Sequence, residues 1–183
     1  MRFARDASGA VSALFFPVEI DLLRLAVAQL LELLGAAGSH ALGASADPAV
    51  RRLLPDAYRG DAEAAAEFRR FTADGIIDRK ELNARTVLAS LGDEPAEGSL
   101  DEEELVADAD EDEDALPVVI LLDDAAVQAW LRTLTDLRLT LAERLEISPD
   151  GVAHLDAEEA PFLSSVYDWL GMVQESLVYA IDV

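Results

Sequence analysis

The sequence predicts a mainly α fold, a helical bundle of five or six helices with a small N-terminal β-hairpin that a short third strand can join. Three observations carry this expectation. Apolar residues recur at three- and four-residue spacing through the long segments of the chain. Short β-branched or aromatic runs occur near the start, at Arg2–Arg5 and Val11–Phe16, and again at Leu116–Leu122. Between the two helical halves lies a run of thirteen acidic residues and no basic one, from Asp93 to Asp114.

The elements follow in order. Asp6–Ala10 is turn-rich and joins the first two runs as a hairpin. Pro17 opens a helix to about Leu34, where Gly35 and small residues end it. Asp47 caps a short helix to about Leu54, with Pro48 in its first position and Pro55 closing it. Asp61 caps a helix to Phe71, Ala73–Gly75 reads as a turn, and a longer helix runs to about Leu91. After the acidic run, expected to be a mobile loop within the single domain 1–183, Leu116–Leu122 reads as a strand. Asp123 and Asp124 cap a helix to about Glu146, Ser148–Gly151 is a turn, and a last helix spans roughly Pro161–Ile181.

Composition excludes several classes of function. The chain has 183 residues, enough for one domain with a sound core, and a formal net charge of −23. Without the acidic run the body still carries about −10. Such a surface repels phosphate backbones unless its arginines gather on one face, and it suits a basic partner. With no cysteine and two histidines, His40 and His154, there is no disulfide, no thiol switch, no thiolate or His-rich metal site and no Ser-His-Asp or Cys-His arrangement. No cofactor, metal or catalytic residue is therefore expected, and the chain reads as a non-enzyme. The most apolar stretch, Ile20–Leu34, is broken by Asp21, Arg24, Gln29 and Glu32, so no signal or membrane span is read and a cytoplasmic location is expected.

Three charges fall on apolar helix faces. Arg138 lies within the stripe Val127, Trp130, Leu131, Leu134, Leu137, Leu141 and Leu145, whereas Arg132 and Asp136 are expected to face away. Glu19 falls among Leu22, Leu23, Ala26 and Leu30, and Lys80 among Ile76, Ala84, Val87 and Leu91. A buried guanidinium needs a carboxylate, and Glu19, Asp168 and Glu175 are the candidates. Three readings stay open: an interior ion-pair network that fixes helix register, a polar pocket of Glu19, Lys80, Arg138 and Asp168, or Lys80 or Glu19 reaching out to solvent along its own stem.

The basic residues cluster once, within Arg51–Arg85, and Arg51, Arg52, Arg69, Arg70 and Arg79 are the candidate nucleic-acid or partner contacts. A helix, a glycine-containing turn and a second helix there share the outline of a helix-turn-helix. Seven acids interleave with these arginines and nearly cancel the local charge, which is also the pattern of a plain solvated surface. The acidic run can mask this patch, recruit a basic partner, or simply solvate the chain. Its spacing does not fit a calcium loop.

Four segments carry a resemblance to a known family. They are Asp47–Tyr58 (DPAVRRLLPDAY); Glu67–Arg70 with Arg79, Lys80 and Asn83; Trp130–Arg132 with Asp136–Leu139; and Tyr167–Leu170 with Gln174–Leu177. In order and spacing they resemble the actinobacterial family of unknown function DUF2017, over nearly the whole chain except the acidic run. The resemblance implies a helical regulator of transcription under oxidative stress that acts by binding DNA, the transcription machinery or both, with RNA polymerase or a sigma factor as partner. The alternative reading is a non-catalytic protein-interaction module, docking a sigma factor or a Clp component, that does not bind DNA, a contact the net charge opposes. The absence of cysteine means that such a role would be exercised without an intrinsic thiol switch.

Overall fold

The computed structural model describes residues 1–6, 9–37, 47–54, 57–58, 60–92, 116–148 and 150–182. The acidic run, its expected mobility, and Arg59 lie outside the described residues. Strands β1 (Arg2–Arg5) and β2 (Val11–Phe15) form the hairpin, followed by helices α1 (Pro17–Ala37), α2 (Pro48–Leu53) and α3 (Ala62–Ser90). Strand β3 (Val118–Leu122) and helices α4 (Asp124–Arg144) and α5 (Ala160–Asp182) complete the described elements. The fold is mainly α, as the sequence predicts, with five helices among the described residues.

The three strands make one antiparallel sheet in the order β1-β2-β3, with Phe3 opposite Ala13 and Ala13 opposite Ile120. Alternation along each strand sends Phe3, Ala13, Phe15, Ile120 and Leu122 into the core. The expected third strand thus pairs with the second arm of the hairpin.

Helix starts follow the capping residues seen in the sequence. The Asp61 carboxylate accepts from the Glu63 and Ala64 amides at 3.1 and 3.0 Å, and Asp123 accepts from Ala126 at 2.7 Å. At α1, Glu19 reaches back to accept the Phe16 amide at 2.9 Å, the reciprocal half of a capping box. At α2, Asp47 accepts from the Ala49 amide at 2.8 Å and from Arg144 of α4 at 2.6 Å.

Two boundaries differ from expectation: α1 continues through Gly35 to Ala37, and the turn expected within α3 is absent. Residues 62–90 form a single unbroken helix, and no turn occurs at Ala73–Gly75. The buried stripe Ala65, Ala73, Ile77, Ala84, Val87 runs straight past Gly75, and packing against α4 and α1 outweighs the cost of about 1 kcal/mol that glycine brings to a helix interior.

Helix α4 is the axis of the molecule, packed on α3, α5, α2, α1 and β3. Its Trp130 is fully buried beneath the sheet, stacked on Phe15 at 5.7 Å between ring centroids and edge-on to Phe3 at 5.8 Å. The indole donates to Ser90 Oγ of α3 at 2.8 Å. The last helix closes over the first strand: the Phe3 amide donates to Ser176 Oγ at 3.2 Å, and Arg5 donates to the Ile181 carbonyl at 3.2 Å.

Candidate functional site

The arginines expected to make contacts are divided between two elements. Arg51 and Arg52 lie on α2, and Arg69, Arg70 and Arg79 on α3. Because α3 is unbroken, the helix-turn-helix outline is not realised: no short second helix is set at an angle to enter a groove. Arg52 pairs with Glu143 of α4 at 2.9 Å, and Arg70 lies over the Phe71 ring at 4.9 Å. Arg51 and Arg79 are exposed and Arg69 is half-buried.

Arg144 of α4 completes the anchoring of α2. Burial pushes the Asp47 carboxyl up, but the Arg144 hydrogen bond, the Ala49 amide and the charges of Arg144 and Arg51 outweigh it and hold the group below the ordinary carboxylate value. The folded state therefore binds this proton less readily than the unfolded chain, so the contribution is present above about pH 4 and is lost as pH falls through the lowered value. Asp47→Ala should cost about 1 kcal/mol at neutral pH, mainly as a lost cap because the ion pair is partly exposed. Asp47→Asn should retain most of the stability. Equal losses in the two variants, read by urea denaturation, would rule out the capping role.

The interior charges are arranged differently from the expected network. Lys80 pairs with Asp136 across α3 and α4 at 2.6 Å. Asp136 is buried, not outward-facing as expected. A central helix buries more than one side, and Asp136 lies on the side toward α3, about 120° around the axis from Trp130. Burial pushes the Asp136 carboxyl above the ordinary range, against the opposing pull of Lys80.

Among the described residues Arg138 takes no carboxylate. One guanidinium nitrogen donates to Gln174 Oε1 at 2.9 Å, another lies 3.5 Å from the Tyr167 hydroxyl, and the group stacks over the Tyr167 ring at 5.0 Å. Gln174 is held in turn by its own donation to Thr135 Oγ1 at 2.8 Å. Glu19 is occupied elsewhere, with the Met1 ammonium at 3.1 Å and the Phe16 amide. Asp168 and Glu175 are exposed and form no ion pair among the described residues. The five residues therefore do not assemble one network or one pocket. Asp136, Tyr167 and Gln174, the partners that sequence reasoning missed, all lie within the segments that carried the family resemblance.

The outer face of the sheet is apolar where solvent would favour polar side chains. Leu14 of β2 stands opposite Val119 of β3, and Leu121 opposite Ser12. Val119 is 60% exposed and Leu121 75%. Strand β3 has a paired neighbour on one side only among the described residues, and Leu116, just before it, is exposed as well. Asp123 and Asp124, both exposed, follow the strand directly.

Among the described residues no helix is long and apolar enough to cross a membrane, and no group of His, Cys, Asp and Glu is placed to hold a metal.

The profile of the domain of unknown function DUF2017 matches residues 1–181. The chain belongs to the DUF2017 family. Curated relatives are named "Oxidative stress regulator AosR" in Mycobacterium bovis and Mycobacterium tuberculosis, each 30% identical over 150 residues, covering 74% of this chain and 58% of the relative. The Mycobacterium leprae relative, "Putative oxidative stress regulator AosR", is 30% identical over 149 residues with the same coverage. This DUF2017 chain thus spans less than two thirds of the length of these relatives. No solved structure gives a significant match.

Proposed function

We propose that this DUF2017 protein is a regulator that works by docking onto a basic surface of the transcription machinery, without a helix-turn-helix and without a thiol switch of its own. The observation that carries this reading is the exposed apolar row Leu14, Val119 and Leu121 on the sheet, in a chain of net charge −23. Exposed apolar edge strands are ordinarily blunted by charged side chains or proline; Pro117 stands before β3, but no charge falls within Val118–Leu122, and such a strand marks a place for another chain to pair. A second copy is disfavoured, because two bodies of the same large negative charge repel. Complementarity selects an extended segment with apolar residues flanked by lysine or arginine, which meet Asp123 and Asp124. The names of the mycobacterial relatives support a regulatory role. The division of the arginines between α2 and α3, and the pairing of Arg52, support protein contact over direct DNA binding.

The test is binding of the purified chain to RNA polymerase holoenzyme from the same source, beside binding to promoter DNA, each titrated in salt. Val119→Lys with Leu121→Lys, both on the solvent face, should weaken polymerase binding at least about tenfold while leaving the fold intact. Arg69→Glu with Arg70→Glu should change it little. Salt-dependent promoter binding abolished by the arginine reversals, with the sheet variant unaffected, would overturn the proposal.

A further inference from the structure

Between α2, α4 and α5 lies a cleft of about 490 Å³, within the range of small-molecule sites. Its polar lining is Arg52, Thr135, Arg138, Ser148, Tyr167 and Gln174, and the rest is aliphatic. The charge of this lining is out of keeping with the molecule. Arg52 is already neutralised by Glu143, but among the described residues Arg138 meets only the neutral oxygens of Gln174 and Tyr167. Among the described residues its Nε is buried with no hydrogen-bond partner, and the residue as a whole is half-buried. In a chain with 37 acidic residues, a half-buried cation without a carboxylate is an unmatched charge.

The surroundings hold that cation ready. Tyr167 supports one face of the guanidinium, and Gly171 backs it, a Cβ there lying at ordinary contact distance, 3.6 Å from the central carbon. Gln174 is fixed by Thr135, so its oxygen stays on Arg138 and the remaining guanidinium donors keep their direction.

We infer that this cleft binds a small organic monocarboxylate. The carboxylate accepts from Arg138 in the plane of the guanidinium, and the apolar body lies on the aliphatic wall. One unmatched positive charge selects a monoanion. A phosphate monoester, close to a dianion at neutral pH, would require a second unpaired cation, which Arg52 does not supply. The inference is independent of the sheet surface proposed above for partner docking.

The test uses the full chain and sodium benzoate, with benzamide and phenyl phosphate as comparisons, followed by amide NMR shifts and thermal stability. Benzoate should shift the Gln174 side-chain amide and the Tyr167 and Gly171 backbone amides, and should raise Tm in a saturable manner. Benzamide should do neither, and phenyl phosphate should bind more weakly than benzoate. Arg138→Met should abolish the response. Because that variant could fail to fold, Gln174→Glu provides a second test: it places an internal carboxylate on Arg138, keeps the side-chain shape, and should weaken benzoate about tenfold or more. The inference is overturned if benzoate gives no saturable shift at these residues, or if the same shifts persist in folded Gln174→Glu protein. Tighter binding of phenyl phosphate would overturn the choice of a monocarboxylate.

Discussion

Trp130→Ala should destabilise the protein by about 3–5 kcal/mol, lowering Tm by roughly 10 °C or more. The indole is fully buried, stacks on Phe15, meets Phe3 edge-on and donates to Ser90. Alanine would leave a void at the point where the sheet, α3 and α4 meet, and neighbours anchored in three separate elements cannot close it together. Trp130→Phe should recover more than half of the loss by restoring the ring contacts without the Ser90 hydrogen bond. Urea denaturation of both variants decides the matter. A loss below about 1 kcal/mol for the alanine variant would mean that this contact is not central to the core.

Lys80→Met is expected to cost about 3 kcal/mol at neutral pH, because it leaves the Asp136 carboxylate buried without its cation. The deficit should shrink as pH falls, since a protonated carboxyl no longer needs the ammonium. In the native protein the Asp136 carboxyl lies above the ordinary 3.8, so the folded state holds this proton more firmly than the unfolded chain. Its effect on stability is thus most favourable at low pH and is lost as pH rises from about 4 through the raised value. The double variant Lys80→Met/Asp136→Leu should return close to native stability, because an apolar pair of similar volume avoids desolvating two charges. If the single variant showed the same deficit at pH 4 and pH 7, the loss would reside in packing and not in charge.

Much of the fold was legible because local signals agreed with packing. Asp61 and Asp123 are capping residues in sequence and cap helices in the structure, and the β-branched Val118–Leu122 run forms the third strand. The reading failed where a local signal competed with a longer one. Gly75 suggested a turn, yet Ala73, Ile77 and Ala84 keep a single helical stripe across it, and the sum of those contacts decides. Asp136 was misplaced by assuming a helix with one buried side, whereas α4 has neighbours nearly all round. Arg138 falls on the apolar stripe of α4 in the sequence but is half-buried, and its partners are not the carboxylates that a buried charge suggests. A planar guanidinium is also satisfied by an aromatic face and an amide oxygen, and Tyr167 and Gln174 supply these one helix away. The basic cluster read from the sequence is a cluster in chain position, with Arg51 and Arg52 on one helix and Arg69, Arg70 and Arg79 on another.

The closure of α5 over β1 sets the order in which this chain can fold. Phe3 and Ser176 are 173 residues apart, and their contact closes nearly the whole chain into one loop. The hairpin can form early from local pairing, but the edge of β1 stays uncovered until α5 arrives. Until α5 docks, this strand edge is open to pairing with other strands. Substitutions at Ser176 or Leu177 should slow refolding if that docking forms in the transition state, and should accelerate unfolding if it forms afterwards.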